Sequence, residues 1–378
     1  MKTRKKPTPS LRLRELCTAL GRIAPTSLAQ KWDNVGLLAG DLDSAITKVV
    51  LTIDLTGPVV DEAIAWGAEA VVAYHPPIFK PISALRSPSR DTGATVWRCI
   101  RNGVAIYSPH TALDAAEGGT NDALAERCDL TATEPLEYVD SPTPAQCKIV
   151  VFVPGTHVET VADAMFDAGA GHIGDYSKCS FRLHGRGTFF GGESTDPTAG
   201  VRGRKEMVDE VRLECVAKAE DVPAVVTALR NAHPYEEPAF DIYPLSARPV
   251  RGIGRVGRFA KPIALKPLAR KLRRATRATC VQIVGPADRV LERAILVAGS
   301  AGSLPLRAGL GPGVVVITGE LRHHDALAIL RHDATAIALG HWASEHPVLS
   351  RLAERLQQDL PSVKVRISEA DRDPFSAA

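Results

Sequence analysis

KVVLTIDLTGPVVDEAIAWGAEAVVAYHPP, residues 48–77, passes from a β pattern to an α pattern and back within one short span. KVVLTID (48–54) is a short β-branched apolar run and predicts a strand. Residues 58–67 predict a helix, and EAVVA (69–73) predicts a second strand. The rhythm continues outward. Leu11–Leu20 predicts an amphipathic helix, 91–102 a helix, 103–107 (GVAIY) a strand and 119–127 a helix. Near the other end, 262–277 predicts a helix, 294–298 (AILVA) a strand and 313–318 (GVVVIT) a strand. A helix over 321–331, a strand over 334–339 (ATAIAL) and a helix over 344–358 complete the series. Strands alternating with helices imply βαβ units and a largely parallel sheet.

The middle of the chain departs from this rhythm. Residues 138–146 (YVDSPTPAQ) have linker composition. KIVVFVP (148–154) predicts a strand and HVETVADAMFDAGA a helix. A glycine-rich stretch over 185–203 follows, then VRLECVAK as a strand and a helix from Asp221 to Asn231. The β-α-β-β-α-β order predicts a ferredoxin-like α+β unit over about 144–245. The expected organisation is therefore a discontinuous α/β body, 1–143 with 249–378, interrupted by an inserted domain, 144–248.

The composition excludes several classes. With 378 residues, 45% hydrophobic and 24% charged, the chain is neither disordered nor fibrous. A net charge of +3 and 5% aromatic residues argue against a nucleic-acid binder. The seven cysteines are dispersed and never form C-x-x-C, so a disulfide framework or cysteine zinc site is not expected, and a reducing cytoplasm fits. The basic N-terminus is followed by no apolar leader, and no run approaches a membrane span.

Two G-x-G-x-x-G matches, at Gly169, Gly171, Gly174 and at Gly252, Gly254, Gly257, lack the strand-before, helix-after context of a dinucleotide site. They read as turns needing positive φ. Gly299-Ser-Ala-Gly302-Ser303 follows a strand, and its backbone N–H groups could hold an anion or simply form a tight turn.

Ligands in α/β sheets bind at the carboxyl ends of strands. EAVVA is followed by Tyr74 and His75. GVAIY is followed by His110 and then Asp114. ATAIAL is followed by His341, Glu345 and His346, and VVVIT by Glu320, His323 and His324. Of eleven histidines, at least five occupy these four turns. His with carboxylates suits Zn, Mn or Fe, and the His110–Asp114 and His341–Glu345 spacing places each pair on one face of a helical turn. His233 in HPYEEP reads instead as a turn or interface residue of the insert.

These residues carry a resemblance. The sequence resembles the GTP cyclohydrolase I type 2 homologs, also called Nif-like or Ngg-interacting-factor-three-like proteins. The matching motifs are WDNVGLLAGD (32–41), HPPIF (75–79), YSPHTALDAAEGGTNDALA (107–125), GELRHHDAL (319–327) and GHWASE (340–345). GAGHIGDYSKCSF (169–181), HPYEEPAFDIYPL (233–245) and GIGRVGRF (252–259) match its longer members, and the resemblance spans roughly residues 10–368. It implies a two-lobed α/β body with a dinuclear metal cleft, an inserted domain similar to PII proteins, and a ring-shaped homohexamer. It implies His75, Asp114, His341 and Glu345 as ligands of one or two divalent ions, Glu345 bridging, with His110 beside them. The family usually has His-His-Pro, and Tyr74 stands here in place of the first His.

By this resemblance, metal-activated water would attack C8 of the guanine ring of GTP or a similar C–N bond. His110, Glu320 or His324 would move protons. No P-loop is present, which disfavours an NTPase of that class. The rival reading is a non-enzymatic metal-binding scaffold or regulator. The cation run Lys261–Arg277 could contact polyanions but reads better as a solvated helix face.

Overall fold

The computed structural model describes residues 11–86, 91–139, 146–245 and 250–377. The expected basic tail, the core of the expected linker and the junction at 246–249 lie outside them. The chain divides into two compact units, Met1–Val139 with Pro249–Ala378, and Asp140–Arg248.

The first unit begins with α1 (Leu13–Ile23), β1 (Gly36–Ala39), β2 (Lys48–Thr52), α2 (Gly57–Trp66), β3 (Ala70–Ala73), α3 (Thr92–Arg101), β4 (Ala105–Ser108), α4 (His110–Ala115), α5 (Thr120–Arg127) and β5 (Leu130–Tyr138). Pro58 sits in the first turn of α2, where its missing N–H is no loss. Asp91 caps α3 by accepting from Ala94 N at 2.9 Å.

The second unit comprises β6 (Gln146–Pro154), α6 (Val158–Asp167), β7 (Phe181–Phe190), β8 (Lys205–Lys218), α7 (Val222–Ala232) and β9 (Phe240–Leu245). Its sheet has the order β7-β8-β6-β9 with every pair antiparallel. That is the expected β-α-β-β-α-β arrangement. Val151, Leu213, Met165 and Leu229 fill the core between its sheet and its two helices. The glycine-rich stretch is not a loop throughout, since its first residues belong to β7, paired along its whole length with β8.

The first unit resumes with β10 (Gly252–Ala264), α8 (Leu265–Ala275), β11 (Gln282–Val284), β12 (Val290–Ser300), β13 (Val314–Glu320), α9 (His323–Arg331), β14 (Thr335–Ala338), α10 (His341–Glu345), α11 (Pro347–Asp359) and β15 (Lys364–Ile367). The helix expected from 262 starts at Leu265, because β10 runs on to Ala264 in pairing with β12. The helix expected over 344–358 is divided before Pro347, which cannot supply an N–H to continue α10.

Two sheets build this unit. One has the order β1-β4-β3-β2-β15, parallel except for β1. The other has the order β11-β14-β13-β12-β10-β5, with β12, β13 and β14 parallel. Strand alternation sorts side chains to opposite faces. Val49 and Leu51 pack with Leu16 and Leu352, whereas Val50 packs with Val60 and Val96. Both faces are covered, as a parallel sheet requires. In the second sheet Leu296 and Ile317 meet Leu268 and Leu272 of α8, and Ile295 and Val316 meet Ile329 of α9. Each such buried aliphatic side chain contributes roughly 1.5–3 kcal/mol.

Strands β1, β5 and β15 carry weak apolar signals. β5 contains Pro135 and lies at a sheet edge, where a missing N–H is tolerated. Five of the six decoy glycines have positive φ, as expected; Gly257 does not. The second set lies within β10 rather than in a turn. There the carbonyls of Gly252 and Gly254 each accept from Arg255 Nη1 at 2.7 Å. The buried Arg255 guanidinium also pairs with both Asp122 oxygens, so its charge is internally satisfied.

Candidate metal centre

The carboxyl ends of parallel strands from both sheets converge. Asp54 follows β2, His75 follows β3 and His110 follows β4. Glu320 ends β13 and His341 follows β14. His75, His341 and Glu345 each offer a ligand atom, and these atoms lie within 4.8 Å of one another. Glu345 Oε1 is 3.2 Å from His341 Nε2, and Oε2 is 3.3 Å from His75 Nε2. The His75 contact lacks hydrogen-bonding geometry, so Oε2 is a buried oxygen without a hydrogen-bond partner. Such an atom calls for a cation or another donor.

Both imidazoles are held from behind. His75 Nδ1 lies 3.0 Å from Asp54 Oδ1, and His341 Nδ1 lies 2.9 Å from Glu320 Oε1. A carboxylate on each Nδ1 fixes the tautomer that leaves Nε2 free to ligate. Burial opposes a charge on His75, but Asp54 and Glu345 push it up to about 10. Glu345 raises His341 to about 9 despite burial. Burial would raise Glu345, yet the two imidazoles hold it below the usual carboxylate value. The cluster is built to hold positive charge between three side chains, as a divalent ion would supply. Two His and one carboxylate make a group that could hold a metal ion.

The backbone makes room for Glu345. Gly299, at φ +65°, passes so close that a Cβ would strike Glu345 Oε1. Gly299 N donates to Ser344 Oγ at 2.8 Å. A Cβ on Gly319 would lie 2.6 Å from Gly299 O and from Ser344 Oγ. The anion-loop expectation for Gly299–Ser303 therefore meets a different arrangement, in which the first glycine lies against a carboxylate. Asp371 ties the two sides together. It accepts from Ile53 N at 2.6 Å and from Trp342 Nε1 at 2.9 Å.

Asp114 lies in α4, and Asn121 Nδ2 donates to its backbone oxygen at 3.0 Å. Its carboxylate accepts a hydrogen bond from the Tyr74 hydroxyl. Burial and the neighbouring Glu345 push Asp114 up to about 6. Burial, Asp114 and Glu345 push Tyr74 well above its usual value, so this phenol stays neutral. His110 lies beside the cluster, its ring centroid 5.3 Å from that of His75. His324 occupies the first turn of α9 with its ring 5.5 Å from His323, and no contact among the described residues joins it to the cluster.

The sequence reading did not single out Asp33, Asp54 or Asp371. Asp54 ends KVVLTID and would have emerged from the same strand-end rule applied to carboxylates. Asp33 accepts from His110 Nδ1 at 2.8 Å and from both Thr111 N and Thr111 Oγ1. Burial would raise its pKa, but these bonds hold it at about 2. His110 itself has φ +26°, a conformation that needs such anchoring. Asp33→Asn is expected to destabilise the fold by about 2 kcal/mol near neutral pH. Because the folded pKa lies below the ordinary 3.8, this stabilisation is complete above about pH 4 and disappears as pH falls through about 2. Urea midpoints of wild type and variant, compared from pH 7 to pH 2, check it. Equal midpoints at pH 7 would remove Asp33 from this role.

Comparison with known proteins agrees with this architecture. A profile of the Duf34/NIF3 (NGG1p interacting factor 3) family matches residues 11–374. A protein of Mycobacterium tuberculosis (strain ATCC 25618 / H37Rv) named GTP cyclohydrolase 1 type 2 homolog is 37% identical over 372 residues, 97% of each chain. A Bacillus subtilis (strain 168) protein of the same name is 35% identical over 366 residues, 94% of this chain and 95% of the other. The crystal structure of a Bacillus cereus protein related to NIF3 is 33% identical, with TM-score 0.72 over 98% of this chain and all of that one. No helix among the described residues is long and apolar enough to cross a membrane. The chain belongs to the Duf34/NIF3 family, as its motifs and its two-sheet body with an inserted α+β unit lead one to expect.

Proposed function

We propose that the chain is a metal-dependent hydrolase acting on a C–N bond of a purine or related heteroaromatic ring. The observation that carries this reading is the His75–His341–Glu345 group with a carboxylate behind each imidazole. The names of the relatives supply the reaction class, GTP cyclohydrolase.

A divalent ion (Zn, Mn or Fe) held by His75, His341 and Glu345 would supply Lewis acidity and lower the pKa of water. The remaining work falls to the chain itself. Asp54 and Glu320 orient the two imidazoles. His110, anchored through Nδ1 by ionised Asp33, has an Nε2 that makes no hydrogen bond among the described residues. It accepts the proton of the water that adds to the ring carbon and returns it to the ring nitrogen as the C–N bond breaks, and a second water adds to the resulting formamide in the same way, breaking the remaining C–N bond and releasing formate. Glu320 is a positioning residue for His341 in this scheme rather than a proton carrier. Asp114 stands ready as a further ligand once its bond to Tyr74 is broken. The reading retains the homohexamer implied by the family resemblance and the reducing cytoplasmic setting inferred from the dispersed cysteines, all seven of which are unpaired.

The test begins with metal analysis of the purified protein. Protein loaded with Mn or Zn is then given GTP and related purine nucleotides, with loss of the purine absorbance and formate release as readouts. Turnover that stops on chelation and returns with metal is expected. Metal binding without turnover across the panel would leave a scaffold and overturn the hydrolase reading.

A further inference from the structure

Trp32 and Phe79 are 61% and 47% exposed. Their centroids are 5.9 Å apart at an interplanar angle of 68°. Trp32 lies 6.1 Å from the ring of His110, which in turn lies 5.3 Å from His75. An unbroken series of rings therefore leads from an exposed indole to the ligand group. Contiguous exposed apolar surface marks ligand-binding or interaction sites, whereas apolar residues exposed singly do not.

The pair is held rigidly. Trp32 sits in a turn closed by Asp33 N donating to Gln30 O at 2.9 Å. Gln30 N donates to Thr111 Oγ1 at 3.0 Å, and Asp33 is clamped to the start of α4. Asn34 Nδ2 donates to Ile78 O, joining the Trp32 turn to the segment that carries Phe79. Nothing in these bonds requires an indole at position 32, because they are made by its neighbours. Lys31 and Lys80 adjoin the two aromatics in the chain. Both are exposed, and neither makes an ion pair or hydrogen bond among the described residues.

We infer that Trp32 and Phe79 form the platform on which a planar heteroaromatic ring stacks beside the metal centre, with Lys31 and Lys80 attracting an anionic substituent of that ligand. The assignment rests on the proposed reaction at the same centre and names the residues that select its substrate. Stacking tolerates many ring types, because every such ring has a π face. The platform thus selects for planarity and aromaticity, and the metal centre selects the bond.

The test reads binding rather than turnover, so it separates this inference from the hydrolase reading. Full-length metal-loaded protein is titrated calorimetrically with guanosine, GMP and ribose 5-phosphate. The wild type is expected to bind guanosine, to bind GMP more tightly, and to bind ribose 5-phosphate at least tenfold more weakly than GMP. Trp32→Ala is expected to weaken guanosine binding about tenfold or more, while Trp32→Phe retains most of it. Metal content of both variants should equal that of wild type, since neither residue is a ligand. Equal binding of GMP and ribose 5-phosphate, undiminished binding by Trp32→Ala, or a wild type that binds none of the three would overturn the inference. Guanosine binding lost in Trp32→Ala, with no turnover in any protein, would uphold the platform and remove the hydrolase reading.

Discussion

Glu345→Ala is expected to abolish metal binding and ring hydrolysis together. Glu345 supplies one ligand atom of three, and its two oxygens are the only groups that both imidazole Nε2 atoms approach within 3.3 Å among the described residues. The side chain is 5% exposed, so water cannot replace it at the same place without opening the site. Losing a residue that merely orients a ligand typically weakens metal affinity 10–100-fold, and loss of a ligand should exceed about 100-fold. Removal also leaves two half-buried imidazoles facing each other without the carboxylate that stabilised their charge. Glu345→Gln keeps the shape and removes only the charge, which distinguishes lost ligation from a collapsed site. Metal analysis and turnover of both variants, beside circular dichroism to verify folding, make the comparison. Full metal content and undiminished turnover in Glu345→Ala would overturn the metal mechanism.

Tyr74→His is expected to raise the metal content from one ion per chain to two. The neutral Tyr74 phenol donates to Asp114 and so occupies the carboxylate that the family resemblance assigns as a ligand. Burial and two carboxylates keep the phenol proton in place, and a protonated phenol is a poor ligand. Wild type should therefore hold a single ion at His75, His341 and Glu345. An imidazole at position 74 adds a neutral nitrogen donor and frees Asp114, and with Glu345 shared a second ion gains three donors. Metal stoichiometry measured on dialysed protein decides the matter. Two ions in wild type, or one in a folded variant, would show that Tyr74 does not set the number.

The parallel sheets were legible because their strands are buried on both faces. EAVVA, VVVIT and ATAIAL are continuous β-branched or small apolar runs, and such runs keep their meaning outside the fold. Strands β5 and β15 were hidden for the opposite reason. LTATEPLEY and KVRI lie at sheet edges, are largely exposed, and take their strand form from the neighbour they pair with. The donors followed the same division. His75, His110 and His341 stand shortly after apolar runs, where a strand-end rule finds them, and Glu345 follows His341 by four residues on one helical turn. Asp371 follows β15 near the chain terminus and resembles any polar surface residue until its two hydrogen bonds are seen.

The sequence by itself determined the βα alternation, the interruption by an α+β unit, and the identity of the groups able to ligate a metal. Periodicity and side-chain chemistry are local properties, readable over a few residues. Only the tertiary structure decided which donors meet, because proximity depends on the return of the chain. Asp54 and His75 come from one sheet, and Glu320, His341 and Glu345 from the other, with the whole inserted unit between them in sequence. Their meeting also required features that no spacing displays: a glycine at 299 close enough to leave space for one carboxylate, and Asp371 bonding β2's end to α10. The same closure turned Tyr74 from an apparent ligand position into a neutral donor to Asp114, since its protonation is set by burial and by carboxylates distant in the chain.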